Sequence, residues 1–195
     1  MVETSRRKVY DMLDDEIREN PVLKKHLAES KKKVSKQEKF LDFLSIMIQK
    51  NHQFCWMEKF EDRMIAFFLT SVYEDAFSVV TDYVLQAYLS DRLDHPVYQA
   101  HLECRYDTKH IDKRLYLASQ SVNERSLRGQ GIGTMSFGLI KKLAESLRCD
   151  SIYGFRRPLE YFETEEEREK LYRFYDKLGL EESAESNKIR FVLRK

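Results

Sequence analysis

The sequence predicts an α+β fold: a mixed, mostly antiparallel sheet flanked by helices and preceded by a helical N-terminal region. Three observations predict it. The first fifty residues are highly charged and carry helix-spaced apolar stripes. Residues Val97–Tyr106 alternate in polarity at the period of a strand. Beyond Arg114, strand-like and helix-like segments alternate around a glycine-rich loop. With 195 residues, the chain is expected to form a single domain, since domains usually run to ~100–200 residues.

In the helical region, 1–50, Val9, Met12, Leu13 and Ile17 form a first stripe. Asn20-Pro21 has the form of an N-cap followed by proline at the first helical position. Ser35-Lys36-Gln37-Glu38 has capping-box form and is expected to open a further helix striped by Phe40, Leu41, Leu44, Met47 and Ile48. Lys31-Lys32-Lys33 then falls between helices, as a solvated connector. The runs Gln53–Glu58 and Met64–Val72, separated by Glu61-Asp62-Arg63, read as a hairpin. Met64–Leu69 is apolar throughout, as a strand covered on both faces would be. Residues Ala76–Leu93 place Phe77, Val80, Val84, Ala87 and Tyr88 at helical spacing and are read as helix, although their β-branched and aromatic content also suits strands.

Val97–Tyr106 reads as a half-buried antiparallel strand. Tyr98, Ala100, Leu102, Cys104 and Tyr106 point one way, and Gln99, His101, Glu103 and Arg105 the other. Arg114–Val122 is the next strand. After the glycine loop a helix follows, striped by Ile132, Met135, Leu139, Ile140, Leu143 and Leu147. Ser151–Phe155 is a short strand. Thr164-Glu165-Glu166-Glu167 opens another helix, striped by Leu171, Phe174, Tyr175 and Leu178, with Gly179 just past its end. Ile189–Leu193 is the final strand.

Composition removes several classes of function. Lys plus Arg is 34 and Asp plus Glu 33, a net charge of +1. This argues against a whole-molecule basic footprint, so nucleic acid is not the expected partner. An apolar share of 42% suffices for a core. No run approaches the ~20 apolar residues of a membrane helix, and no apolar leader opens the chain, so no membrane partner is expected. Cys55, Cys104 and Cys149 form neither CxxC spacing nor an even disulfide set, which fits a reducing cytoplasm. His95, His101 and Cys104 make no metal site, because His101 and Cys104 point to opposite faces of one strand. The aromatic-rich stretch Met64–Tyr88 could be core or a homodimer surface.

The first glycine is residue 129, and four of the six glycines fall within Gly129–Gly138. Glycine lets the backbone take φ > 0 or approach a ligand closely. The loop follows a strand and opens a helix, whose first N–H groups lack intrahelical partners and sit at the positive end of the dipole. That arrangement suits a phosphate or pyrophosphate. Walker A fails, because Leu139-Ile140 follows Gly133 and Gly138 where Lys-Ser/Thr is needed. The dinucleotide fingerprint fails, because Ser136 stands where the third glycine should.

Arg128-Gly129-Gln130-Gly131-Ile132-Gly133 matches Arg/Gln-x-x-Gly-x-Gly/Ala, the pyrophosphate loop of the GNAT acetyltransferases. Leu171–Leu180, containing Tyr175-Asp176-Lys177-Leu178-Gly179-Leu180, resembles that superfamily's second signature. The two stand in the family order, and the resemblance covers about 114–195, the expected acyl-CoA-binding core. The chain departs from the family in lacking a proline within Val122–Leu127 and in carrying Glu167 where the family often has Asn.

The resemblance implies an N-acetyltransferase that moves an acetyl group from acetyl-CoA, its co-substrate, directly to an amine on a small molecule or peptide, without a metal. It implies that the amides of Gly129, Gln130, Gly131, Ile132, Gly133 and Thr134 hold the pyrophosphate beside Arg128. The strand end at Ser121, Val122 and Asn123 would pair with the pantetheine arm and polarise the thioester carbonyl. Tyr175 would protonate the departing thiolate, with Tyr172 as the fallback; on its residues alone Tyr175 is equally a core aromatic. His101 and Glu103, on one strand face, are the available bases, and a solvated face explains them as simply. Two other readings stand beside this one: a GNAT-fold acyl-CoA-binding or regulatory protein without turnover, and a toxin-like acetylase of charged tRNA, kept by the clusters Arg6–Lys8 and Lys31–Lys33.

Overall fold

The computed structural model describes residues 20–74, 81–107, 112–155, 164–182 and 188–193. The chain divides into two compact units, with the boundary between Ser45 and Ile46. Helix α1, Pro21–Gln49, runs across that boundary. Asn20 caps it, its Oδ1 accepting from the amides of Val22 at 3.0 Å and Leu23 at 3.2 Å. The helix passes without a break through Lys31–Lys33 and Ser35–Glu38, so the expected connector and second start are corrected. Ser and Glu are only weakly unfavourable inside a helix, and nothing there breaks the hydrogen-bond ladder. Phe40 and Met47 are buried, whereas Leu41 and Ile48 of the same expected stripe are exposed. The stripe of Val9, Met12, Leu13 and Ile17 lies outside the described residues.

The second unit is built on one sheet of eight strands: β1 Gln53–Phe60, β2 Arg63–Glu74, β3 Thr81–Leu89, β4 Tyr98–Asp107, β5 Asp112–Val122, β6 Ser151–Phe155, β7 Glu181–Glu182 and β8 Lys188–Val192. Their order across the sheet is β1-β2-β3-β4-β5-β6-β8-β7. Among the described residues only β5 and β6 pair parallel, and every other neighbour is antiparallel. The α+β class holds. Helix α2, Ile132–Ser146, makes the β5-to-β6 crossover, and α3, Glu165–Lys177, follows β6.

β2 lies between β1 and β3, and Ile65, Ala66, Phe67 and Phe68 are all fully buried, as its unbroken apolar run required. The stretch read as helix through Leu93 is a correction: Thr81–Leu89 is a strand, and residues 76–80 lie outside the described residues. Leu85 pairs with Leu69 on one side and Ala100 on the other, so long-range partners override a helix-compatible spacing. One core joins the sheet to the helices, with Phe67, Leu85, Leu102 and Leu115 against Phe137 and Ile140. No described helix is long and apolar enough to cross a membrane.

Candidate functional site

Strand β5 carries the site through an irregularity in its pairing with β4. His101 faces Ser119 and Leu102 faces Leu117, so Ala118 is an extra residue in β5. A bulge reverses which residues face the core. Leu115 and Leu117 are buried before it, and Val122 packs against the core after it.

The parallel partner stops at the same place. Pairing of β5 with β6 runs from Arg114–Ser151 to Leu117–Gly154, while β5 continues to Val122 along β4. Beyond Leu117 that edge of β5 has no paired strand among the described residues. The Asn123 amide donates to the Val97 carbonyl at 2.9 Å, toward β4. Peptide groups alternate along a strand, so those of Val122 and Gln120 turn to the open edge. There Arg128 Nε donates to the Val122 carbonyl at 3.5 Å.

The glycine loop follows directly. Arg125–Leu127 forms a 3₁₀ turn, anchored by an ion pair between Glu124 and Arg92. Gly129 has φ +80° and Gly131 φ +94°, both in the left-handed region. A Cβ at either would meet nothing within 4 Å, so the space before the loop is open. Gly131 is the N-cap of α2 without a side-chain cap, and the first turn holds no acidic residue. The first intrahelical bond runs from the Met135 amide to the Gly131 carbonyl at 3.0 Å. The amides of Ile132, Gly133 and Thr134 lie ahead of it, at the helix's positive end. Gln130 Nε2 braces the loop by donating to the Ser126 carbonyl at 2.9 Å. Gly133 differs from the other two: a Cβ there would lie 3.0 Å from Phe174 Cζ, so its smallness admits α3 against α2.

The other expected site residues divide. The Asn123 side chain is spent on structure, with Nδ2 donating to the Pro96 carbonyl at 2.7 Å and Oδ1 accepting from Ser121 Oγ at 2.8 Å. Tyr175 is buried in the core shared by sheet and helices. Tyr172 is half-buried, with the Arg168 guanidinium 6.0 Å from its ring centre. His101 is exposed beside the bulge and accepts at Nε2 from Gln99 Nε2 at 2.7 Å. Glu103 is engaged by Arg105.

Three linked residues carry no signature in the sequence, and one of them, Tyr98, neighbours Tyr175. Tyr98, fully buried on β4, donates to Gln120 Oε1 at 3.2 Å. Burial pushes its phenol well above the usual range, a hydrogen bond with Ser136 opposes this, and the neighbouring Tyr175 phenol adds to it. Ser136 is itself buried, donating to the Ile132 carbonyl at 2.8 Å. Polar side chains thus link the first turn of α2 to β4 and β5. Tyr98 was legible only as one member of an alternating strand face.

No family model and no curated protein matches the sequence. Solved structures resemble this fold remotely. AtaTR bound with AcCoA shares 18% identity at a TM-score of 0.39, covering 58% of this chain and 68% of its own. A GNAT-family acetyltransferase from Listeria monocytogenes shares 15% at 0.40, covering 56% and 64%. Nourseothricin acetyltransferase shares 15% at 0.41, covering 73% and 85%. The last two are named as acetyltransferases, and at such values none of the three assigns an activity to this chain.

Proposed function

We propose that this protein is an N-acyltransferase that carries an acetyl group from acetyl-CoA to an amine. The observation that supports it best is the junction of the open β5 edge with the glycine loop: an uncapped helix start, two left-handed glycines and unfilled space in front of them. Bound there, acetyl-CoA supplies an activated thioester. The amides of Ile132, Gly133 and Thr134 meet the pyrophosphate, and Arg128 exchanges its bond to Val122 for one to phosphate. The outward peptide groups of Gln120 and Val122 accept the pantetheine arm as a strand partner. An amide on this edge, beside the Ala118 bulge, polarises the thioester carbonyl. Tyr175 gives its proton to the departing thiolate, since a phenol and a thiol have comparable basicity. His101 takes the proton of the incoming amine, directly or through a water, whereas Glu103 is held by Arg105.

The test is calorimetric titration of acetyl-CoA into the wild type and a Gly131→Glu variant, with thermal melts to verify that the variant folds. Saturable binding that the variant loses supports the reading, and absence of binding by both proteins defeats it. Turnover is then read as CoA release against a panel of amines.

A second reading, a tRNA-borne amine as acceptor, is favoured by helix α1. It presents Lys24, Lys25, Lys31, Lys32, Lys33, Lys36 and Lys39, all exposed, against Glu29, Glu38 and Asp42. A near-neutral total charge does not exclude such a local patch. Binding to charged tRNA that weakens steeply with salt would support it, and salt-independent or absent binding would remove it. Free thiols at all three cysteines fit a reducing compartment such as the cytoplasm.

A further inference from the structure

Cys104 and Cys149 stand far apart in the sequence, and the fold brings their sulfurs to 3.8 Å. Both are free and buried, with 4% and 7% of their surface exposed. Cys104 lies in mid-sheet on the core face of β4, between Thr81 of β3 and Leu115 of β5. Cys149 follows the end of α2, its amide donating to the Ala144 carbonyl at 2.8 Å. The segment around it is fastened to the sheet: the Asp150 amide donates to the Lys113 carbonyl at 2.7 Å, and the Lys113 amide to Asp150 Oδ2 at 2.9 Å. The sulfurs are therefore held in contact by backbone that is fixed on both sides.

We propose that Cys104 and Cys149 form a dithiol–disulfide redox site, which hydrogen peroxide oxidises to an intramolecular disulfide. The Cys104 thiolate attacks one peroxide oxygen, the O–O bond breaks, and the leaving hydroxide takes a proton to become water. The sulfenic acid left on Cys104 is attacked by the Cys149 sulfur. The S–S bond forms, the S–O bond breaks, and a second water leaves with the Cys149 proton. Two electrons pass from the thiol pair to the peroxide. The gap closes from 3.8 Å to about 2.05 Å by side-chain rotation.

The division of labour follows from the surroundings. The hydrogen bond between the two sulfurs, with Cys149 as donor, lowers the Cys104 thiol below its ordinary range; burial opposes this and Lys113 assists. The same hydrogen bond, with burial, raises Cys149. Cys104 is thus the attacking thiolate and Cys149 the resolving thiol. The cross-link would tie β4 to the end of α2, enclosing β5 and the glycine loop in one covalent ring. This inference does not depend on the acyl-transfer reading. Cys55, half-buried and with its pKa raised chiefly by burial, is the internal control.

The full-length reduced protein is exposed to graded hydrogen peroxide, blocked with iodoacetamide and mapped by mass spectrometry. The expected result is a monomer lighter by two hydrogens, a linked Cys104–Cys149 peptide, reversal by dithiothreitol, and a Tm higher by on the order of 5–10 °C. In Cys149→Ser, which keeps a hydrogen-bond donor beside Cys104 but cannot resolve, dimedone should trap a sulfenic acid on Cys104. Should that variant not fold, the wild-type peptide map decides alone. Both thiols surviving peroxide, Cys55 reacting first, intermolecular disulfides, or sulfinic acid on Cys104 beside a free Cys149 would each overturn the proposal.

Discussion

Gly133→Ala separates the two reasons a glycine can stand in the loop. Gly131 needs its backbone angle, and Gly133 needs its missing side chain. A Cβ at Gly133 would lie 3.0 Å from Phe174 Cζ and 3.3 Å from Cε2. Overpacking of this kind costs about 1–3 kcal/mol. Alanine returns about 0.5–1 kcal/mol through helix propensity, less at this first-turn position. The net expectation is a loss of about 1 kcal/mol, or ~2–4 °C in Tm for a chain of this size. Phe174→Leu removes the ring that is struck. In that background Gly133→Ala should cost nothing, giving a coupling of about 1 kcal/mol in a double-mutant cycle read by urea denaturation. Gly131→Ala is the control. Its Cβ meets nothing within 4 Å but its φ is +94°, so it should cost about 1–2 kcal/mol whatever occupies position 174. Phe174 and Tyr175 lie with ring centres 5.9 Å apart, so displacing the first also disturbs the proposed acid. Strictly additive costs, or a Gly133→Ala protein more stable than wild type, would refute the packing argument.

Tyr175→Phe should lower turnover by about 10²–10⁴-fold with acetyl-CoA affinity nearly kept; equal losses in both would reduce Tyr175 to packing. Asp112→Ala should cost about 3 kcal/mol by denaturant unfolding, because Arg114 is 3% exposed and its Nε bonds both Asp112 oxygens at 3.0 Å; a loss under half of that would show the guanidinium is satisfied elsewhere. Asn20→Ala should lower helix stability by about 1 kcal/mol, seen as reduced helical circular dichroism, and an unchanged spectrum and melt would deny the cap. Reduced protein should gain stability as pH rises toward 9: Cys104 is held below its ordinary 9.0, so the unfolded chain binds more protons there, and above about 9 the raised Cys149 reverses the slope. Denaturation across that range should lose the rise in Cys149→Ala, and identical profiles would refute the coupling.

What was legible in the sequence follows the range of the forces involved. The alternation from Tyr98 to Cys104, the unbroken Met64–Leu69 run and the stripe from Ile132 to Leu147 are local signals. The strands and helix there fall within a residue or two of expectation. The glycine loop was legible because its backbone angles are local too. β3 was not, since Val84, Ala87 and Tyr88 satisfy two periods and only β2 and β4 choose between them. The capping box at Ser35–Glu38 misled because such a box permits a helix start and cannot enforce one inside a continuing helix. The Cys104–Cys149 contact depends on the β5–α2–β6 crossover, which no spacing between two cysteines encodes.

The Ala118 bulge is the point where fold and candidate site become one argument. Without it, β5 would keep its phase, with Leu115, Leu117, Ser119 and Ser121 on the core face and Gln120 and Val122 turned away. The extra residue brings Gln120 within 3.2 Å of the Tyr98 hydroxyl and sets Val122 against the core. It falls at the last residue pair shared with β6, Leu117–Gly154, where β5 is free to bend away from its neighbour. Its sequence trace is the break in polarity at Leu117-Ala118-Ser119-Gln120. The strand therefore changes its facing, loses its parallel partner and delivers the chain to the glycine loop within a few residues. Ironing out the bulge while keeping Ala118 would place Ser119 and Ser121 in the apolar core, whereas deleting Ala118 would remove the bulge and leave Gln120 and Val122 facing as they do. The site's geometry thus depends on where β5 takes up one extra residue that has no reactive group of its own.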